Sequence, residues 1–324
     1  MTKTGKKYTG VALVMAGILA FCVILTCFTG VRRPQTDKWQ IVTSFYPVYI
    51  AVLNVTDGVD DVEVVNLVQA QTGCLHDYQL SPDNMRTLLE ADLLVLNGAG
   101  AESFLTPTLE KMPGLAVVEL AQEIPLLAAF AEHDHEEAEE QEEEGHTDHS
   151  GHEHGADNEH IWTSPARYRQ EIENLREALC ARDPAHEAQY RANAAAYLTA
   201  IDEVETRLKA AVAALPYKNS VIFHDSLAYF AQDLGLPVVA AVPVGEEAGA
   251  SAADLSAAWD AVRATGEVLF LHDSQYDASG YKTLEQAATR CCTLSLDMAV
   301  TGSGEKSAWL EAMRRNAALL EQVR

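Results

Sequence analysis

The chain is 324 residues long, with 48% hydrophobic and 22% charged residues, which suits a globular protein of about two domains and excludes a disordered or collagen-like one. Twenty-three basic residues stand against 48 acidic ones, a net charge of −25, and that sign argues against nucleic acid and anionic membrane surfaces as partners. Thirteen of the acids lie in residues 132–159, which hold no basic side chain, so a cation is the partner such a balance invites.

In chain order, Lys3, Lys6 and Lys7 precede an uncharged apolar run at 11–28, and Arg32 and Arg33 follow it. Residues 1–36 therefore read as an export signal or a membrane anchor. Ile24-Leu25-Thr26-Cys27 looks like a bacterial lipobox with Cys27 as the lipidated residue, although Thr26 stands where Gly, Ala or Ser is usual. A lipoprotein and an uncleaved anchor stay open, and either holds the folded part outside the cytoplasm, on the outer face of the bacterial cytoplasmic membrane. Cys74, Cys180, Cys291 and Cys292 show no C-x-x-C spacing, so free thiols are expected, with a disulfide from Cys291 or Cys292 left open.

Short apolar runs at 39–44, 62–68, 93–96 and 116–120 predict strands, and the segments opening at Pro47 and Ser81 predict helices between them. Continuous apolar strands alternating with helices point to parallel β/α units. From Pro165 nearly fifty residues carry almost no turn signal. Asp183-Pro184 divides them into a helix of roughly four turns and a longer one at 185–215, long enough to join two lobes. The alternation resumes with strands at 221–223, 238–242, 268–271 and 293–296, a helix capped by Ser251 and a last helix from Ser307. The expected fold is α/β: two lobes of parallel β/α units joined by one long bridging helix, with a metal cleft between the lobes. The expected division is an anchor at 1–36, an amino-terminal lobe at 37–184 including an acidic loop at 132–159, the bridging helix at 185–215 and a carboxy-terminal lobe at 216–324.

Seven of the eleven histidines lie in 133–160, set among acids: His133, His135, His146, His149, His152 and His154 in the loop, then His160. Imidazoles at one- and two-residue spacings beside carboxylates bind borderline cations such as zinc, nickel or copper, and a stretch this poor in apolar residues collects ions weakly instead of shaping one site. A dispersed set is better placed. His76, His160, His224 and Asp273 each lie past a predicted strand's carboxyl end, where open α/β sheets bind ligands. Three imidazoles and one carboxylate make a tetrahedral set for Zn²⁺.

The local sequences Ile41-Val-Thr-Ser-Phe-Tyr-Pro47, His76-Asp-Tyr-Gln-Leu-Ser-Pro82, Glu159-His-Ile-Trp-Thr-Ser-Pro165, Phe223-His-Asp-Ser-Leu-Ala-Tyr-Phe230 and Asp273-Ser-Gln275 carry a resemblance. From Trp39 to its end the chain resembles the zinc/manganese class of solute-binding proteins that serve ABC importers. That resemblance implies His76, His160, His224 and Asp273 as metal ligands. It also implies zinc capture outside the cell, delivery to an ABC metal permease whose ATPase subunit is a separate chain, no enzymatic activity, and a receptor acting as a monomer. Manganese members carry a glutamate where His224 stands, so Zn²⁺ is expected over Mn²⁺. His272, next to the acidic ligand, is a fifth candidate or an alternative to Asp273, and Cys74 lies two residues before His76. Two other functions remain for comparison: a surface metal buffer or adhesin working through the acidic loop, and a secreted metallohydrolase, for which no H-E-x-x-H is present.

Overall fold

In a computed structural model of the protein, the described residues are 38–68, 75, 78–129, 157–244, 250–276 and 279–323. His76, Cys74, Cys27 with the amino-terminal segment, and the loop histidines His133, His135, His146, His149, His152 and His154 lie outside them.

Among the described residues, eight strands form two sheets of four. The first holds β1 (Trp39–Thr43), β2 (Val62–Asn66), β3 (Leu93–Leu96) and β4 (Ala116–Glu119) in the order β2-β1-β3-β4. The second holds β5 (Ser220–Phe223), β6 (Val238–Val242), β7 (Glu267–Asp273) and β8 (Arg290–Leu296) in the order β6-β5-β7-β8. Each pairing with a described register is parallel. Inner strands β3 (LLVL) and β5 (SVIF) are buried along their whole length because helices cover both faces, whereas edge strand β8 alternates between exposed and covered positions. The apolar runs at 93–96 and 221–223 were legible as strands for that reason.

Helices α1 (Tyr46–Val55), α2 (Pro82–Glu90) and the short α3 (Thr106–Leu109) accompany the first sheet. Ser81 caps α2 with a reciprocal bond to Asn84, and Pro82 occupies the first turn, where a missing N–H costs nothing. Then come α4 (Pro165–Arg182) and α5 (Glu187–Ala214). At 18 residues α4 makes five turns, not four. The long helix begins at Glu187 and not at 185, because a 3₁₀ turn at Pro184–His186 takes up the corner, where the Asp183 carboxylate accepts bonds of 2.7 Å from the Tyr190 hydroxyl and from His186 Nδ1. The buried residues Tyr190, Ala194, Tyr197, Ile201, Val204, Leu208 and Ala211 recur at three- and four-residue spacing, so one stripe of α5 is covered along its length of roughly 42 Å. In the second lobe α6 (Ala228–Asp233), α7 (Ala252–Thr265) and α8 (Ala308–Glu321) complete the fold. Helix α6, six residues long, is too short to leave a periodic pattern of its own.

The two lobes are joined at several places, among them bonds between Asn158, Ser164 and Arg167 and the segment 225–233. Helix α5 packs against α1 and α4 on one side and against α8 on the other. The segment after β8 also returns to the first lobe: Trp162 Nε1 donates to the Met298 carbonyl at 3.0 Å, Trp309 Nε1 to the Trp162 carbonyl at 3.1 Å, Gly304 N to the Tyr46 hydroxyl at 3.1 Å, and Asn54 Nδ2 to the Lys306 carbonyl at 2.9 Å. Among the described residues no helix is long and apolar enough to cross a membrane. Cys180, Cys291 and Cys292 are free thiols, and the disulfide left open for the last two is not formed among them.

Candidate metal centre

Strand order decides where a site can form. In each sheet the chain adds one strand to one side of its first strand and then crosses to the other, so the switch falls between β1 and β3 and between β5 and β7. Loops leaving the carboxyl ends of such a strand pair part and open a crevice. The two crevices share one cleft of about 30 Å³, bordered by Phe45 after β1, Ala101 after β3, His160 beyond β4, His224 and Ser226 after β5, and Asp273 in β7. That volume accommodates an ion with a water molecule or two, against the roughly 300–1,000 Å³ of a typical organic-ligand pocket.

His160 opens a 3₁₀ turn (Ile161–Thr163) and is 7% exposed. Asn158 fixes it. The Asn158 Oδ1 accepts from the His160 backbone N–H at 2.9 Å and stands 3.0 Å from its Nδ1, while Asn158 Nδ2 donates to the Asp225 carbonyl at 2.8 Å, which settles which end of the amide is which. With Asn158 Oδ1 as the acceptor, His160 Nδ1 is the donor. Thr163 Oγ1 bonds the His160 carbonyl at 2.8 Å.

His224, also 7% exposed, comes from the other lobe. Its ring centroid lies 5.2 Å from that of His160, and it stacks on Tyr276 at 4.6 Å. The backbone at His224 has φ +104°, a conformation in which a side chain with a Cβ costs on the order of 1–3 kcal/mol. Locally the conformation is held by the Ser226 N–H, which donates to His224 Nδ1 at 3.0 Å.

Asp273, the last residue of β7, is 1% exposed and borders the cleft. Burial raises its carboxyl above the ordinary range, opposed by the Gln275 backbone N–H, by His224, by the Gln275 side chain and by His160. Its Oδ1 accepts from Gln275 N at 3.0 Å, and its Oδ2 accepts from the Ser226 hydroxyl at 3.3 Å. His272 is half-buried, its Nδ1 lies 3.4 Å from the Asp273 carbonyl, and it does not border the cleft.

Two acids were in the recognised motifs but were given no role. Asp225 is the carboxylate that, with His160 and His224, brings ligand-type atoms within 4.8 Å of one another. Its Oδ1 lies 3.5 Å from His160 Nδ1 and 3.3 Å from His224 Nδ1. Glu159 borders the cleft with Oε1 3.8 Å from His160 Nε2. The signal for both was adjacency to a histidine; sequence spacing alone does not say which side of a ring a neighbouring acid will meet.

The family model for zinc-uptake complex component A, described as periplasmic, matches residues 41–323. The zinc-binding protein AdcA of Streptococcus pyogenes serotype M3 is 28% identical over 287 residues, covering 86% of this chain and 55% of that protein. The high-affinity zinc uptake system protein ZnuA of Yersinia pestis is 30% identical over 205 residues, covering 60% of this chain and 63% of that protein. The chain thus spans little more than half the length of the streptococcal relative. Among solved structures, the solute-binding protein FpvC of Pseudomonas aeruginosa in complex with Mn²⁺ superposes with a TM-score of 0.70 at 22% identity, over 88% of this chain and 97% of that one, a likeness of fold.

Proposed function

The chain belongs to the zinc-uptake complex component A family, and from that premise we propose that it is an extracytoplasmic receptor that captures Zn²⁺ and delivers it to an ABC-type permease driven by a separate ATPase subunit. The observation that carries this reading is the pair His160 and His224, buried imidazoles from different lobes whose rings meet at 5.2 Å over an ion-sized cleft. Asp273 adds a carboxylate from the strand beside β5. His76 is the proposed fourth ligand. Zinc is preferred over manganese because imidazole at position 224 is a softer donor than a carboxylate. The loop histidines His133, His135, His146, His149, His152 and His154 would collect ions weakly, and Cys27 or the apolar run at 11–28 would hold the protein to the membrane. The lobes are assigned to 37–184 and 216–324, with 185–215 between them. A cleft this small favours a cargo ion over hydrolysis of an organic substrate.

A competition titration of the metal-stripped chain from Asp37 onward, with zinc against a chromophoric chelator and again with manganese, tests the reading. One tight zinc site, several weak ones and much weaker manganese are expected. Only weak, multiple sites would overturn it.

A further inference from the structure

We propose that Tyr229 is a positioning residue whose hydroxyl sets the spacing between His160 and His224 across the two lobes, an assignment that deepens the receptor reading above and rests on it. The hydroxyl sits inside a rung of backbone pairing. Leu127 and Asn158 are the next pair along from the antiparallel bridge between Ala128 and Asp157, and a pair in that register exchanges two N–H···O bonds. One of the two is direct, from Asn158 N to the Leu127 carbonyl at 2.7 Å. The other passes through Tyr229: Leu127 N donates to the hydroxyl at 2.9 Å, and the hydroxyl donates to the Asn158 carbonyl at 2.6 Å.

What this rung carries is His160. Asn158 is fully buried, accepts the His160 backbone N–H on its Oδ1 at 2.9 Å, and donates through Nδ2 to the Asp225 carbonyl at 2.8 Å. Its carbonyl and its side chain therefore both bond the segment that leaves β5 at His224 and runs through Asp225 into α6. The second lobe thus grips Asn158, two residues from one histidine, with a segment that begins at the other. The Tyr229 ring does not need its hydroxyl to stay in place. It is 0% exposed, packs with Ala121, Ile124 and Ile161, and lies under the Arg167 guanidinium at 4.4 Å, whose Nε donates at 2.9 Å to Asp233 on the same helix as the tyrosine. Removing the oxygen alone therefore keeps the packing and opens the rung. The Leu127 N–H and the Asn158 carbonyl lose their shared partner, and the support of His160 gains a freedom that the placement of a metal ligand does not tolerate.

The test is made on the full chain with Zn²⁺ as the probe. Tyr229→Phe should weaken zinc at the tight site about 10-fold, and the Leu127 amide, followed by NMR, should exchange with solvent faster than in the parent. Leu208→Ala is the control, a buried change on α5 outside the cleft lining that lowers stability and should keep zinc affinity within about twofold of the parent. Leu127→Pro removes the donor at the far end of the rung without touching the tyrosine, and it should weaken zinc in the same direction. A Tyr229→Phe affinity within about twofold of the parent, or a loss that Leu208→Ala matches, would overturn the assignment and leave the receptor reading standing. Should Tyr229→Phe not fold, parental affinity in Leu127→Pro would overturn it equally. Absence of a tight zinc site in the parent would remove both.

Discussion

Two buried carboxyl groups that do not border the cleft respond to pH through their burial. Glu102 accepts bonds from the Ser44 hydroxyl at 2.6 Å, from Asn97 N at 2.7 Å and from Gly98 N at 3.0 Å, yet burial outweighs these donors and its carboxyl is raised from 4.5 to about 7. Folding thus retains a proton that the unfolded chain releases. The stability this gives is complete below about pH 4.5 and is lost as pH rises through about 7, a span of roughly 3 kcal/mol at most. Glu171, 1% exposed and with Oε2 lacking a hydrogen-bond partner, is pushed well above the ordinary range by burial and then by the charge of Glu102. Glu171→Gln, which mimics the protonated acid, should therefore melt higher than the parent by a margin that grows from pH 5 to pH 8, reaching a few degrees on the order expected for 1 kcal/mol. A margin independent of pH in thermal melts would show that the acid is already ionised in the fold. These groups were not legible in the sequence, since burial of an acid depends on what packs over it. Position 224 was legible as a candidate ligand from its place after a strand, but its φ of +104° was not, because that depends on the local bond from Ser226 N.

At the scale of elements, most of the architecture could be read in advance, for a physical reason. Inner parallel strands are apolar throughout and long helices keep a covered stripe, so β3, β5 and α5 announce themselves. Elements defined by other means do not: α6 is too short for periodicity, and the 3₁₀ corner at Pro184–His186 comes from side-chain bonds to Asp183. Two substitutions test the packing. Leu208→Ala on the covered stripe of α5, at 0% exposure, should cost about 2–5 kcal/mol in urea unfolding. Asn84→Ala should cost about 1–3 kcal/mol, because Asn84 completes the α2 cap with Ser81, bonds the Tyr78 hydroxyl at 3.0 Å and donates to the Leu67 carbonyl at 2.6 Å. Values below 0.5 kcal/mol for either, an order-of-magnitude floor for surface changes, would mean the site relaxes freely.

For the molecule as a whole, the several connections between the lobes matter more than either sheet. The long run without turn signals after Pro165 suggested one bridging helix; the bonds joining Trp162, Met298 and Trp309, with Tyr46 to Gly304, form a second tie that arises between residues over a hundred positions apart and leaves no local trace in the sequence. Lobes laced in this way should unfold together. Calorimetry of the metal-free protein is expected to give a single transition with equal calorimetric and van't Hoff enthalpies, and two resolved transitions would show independent lobes. Zinc should change the radius of gyration in small-angle scattering little, because shear at packed helices moves domains less than hinge closure does.

The second tie also bears on timing. On the proposed receptor reading, an affinity of about 1 nM with an association rate of about 10⁷ M⁻¹s⁻¹ would hold the ion for about 100 s. A frame fastened at α5 and again at Trp162 has little freedom to gape spontaneously and shorten that residence. On that same reading, unloading falls to the proposed permease partner, and the strained loop at His224, where a small backbone shift would withdraw one proposed ligand, is the place for such a pull to act.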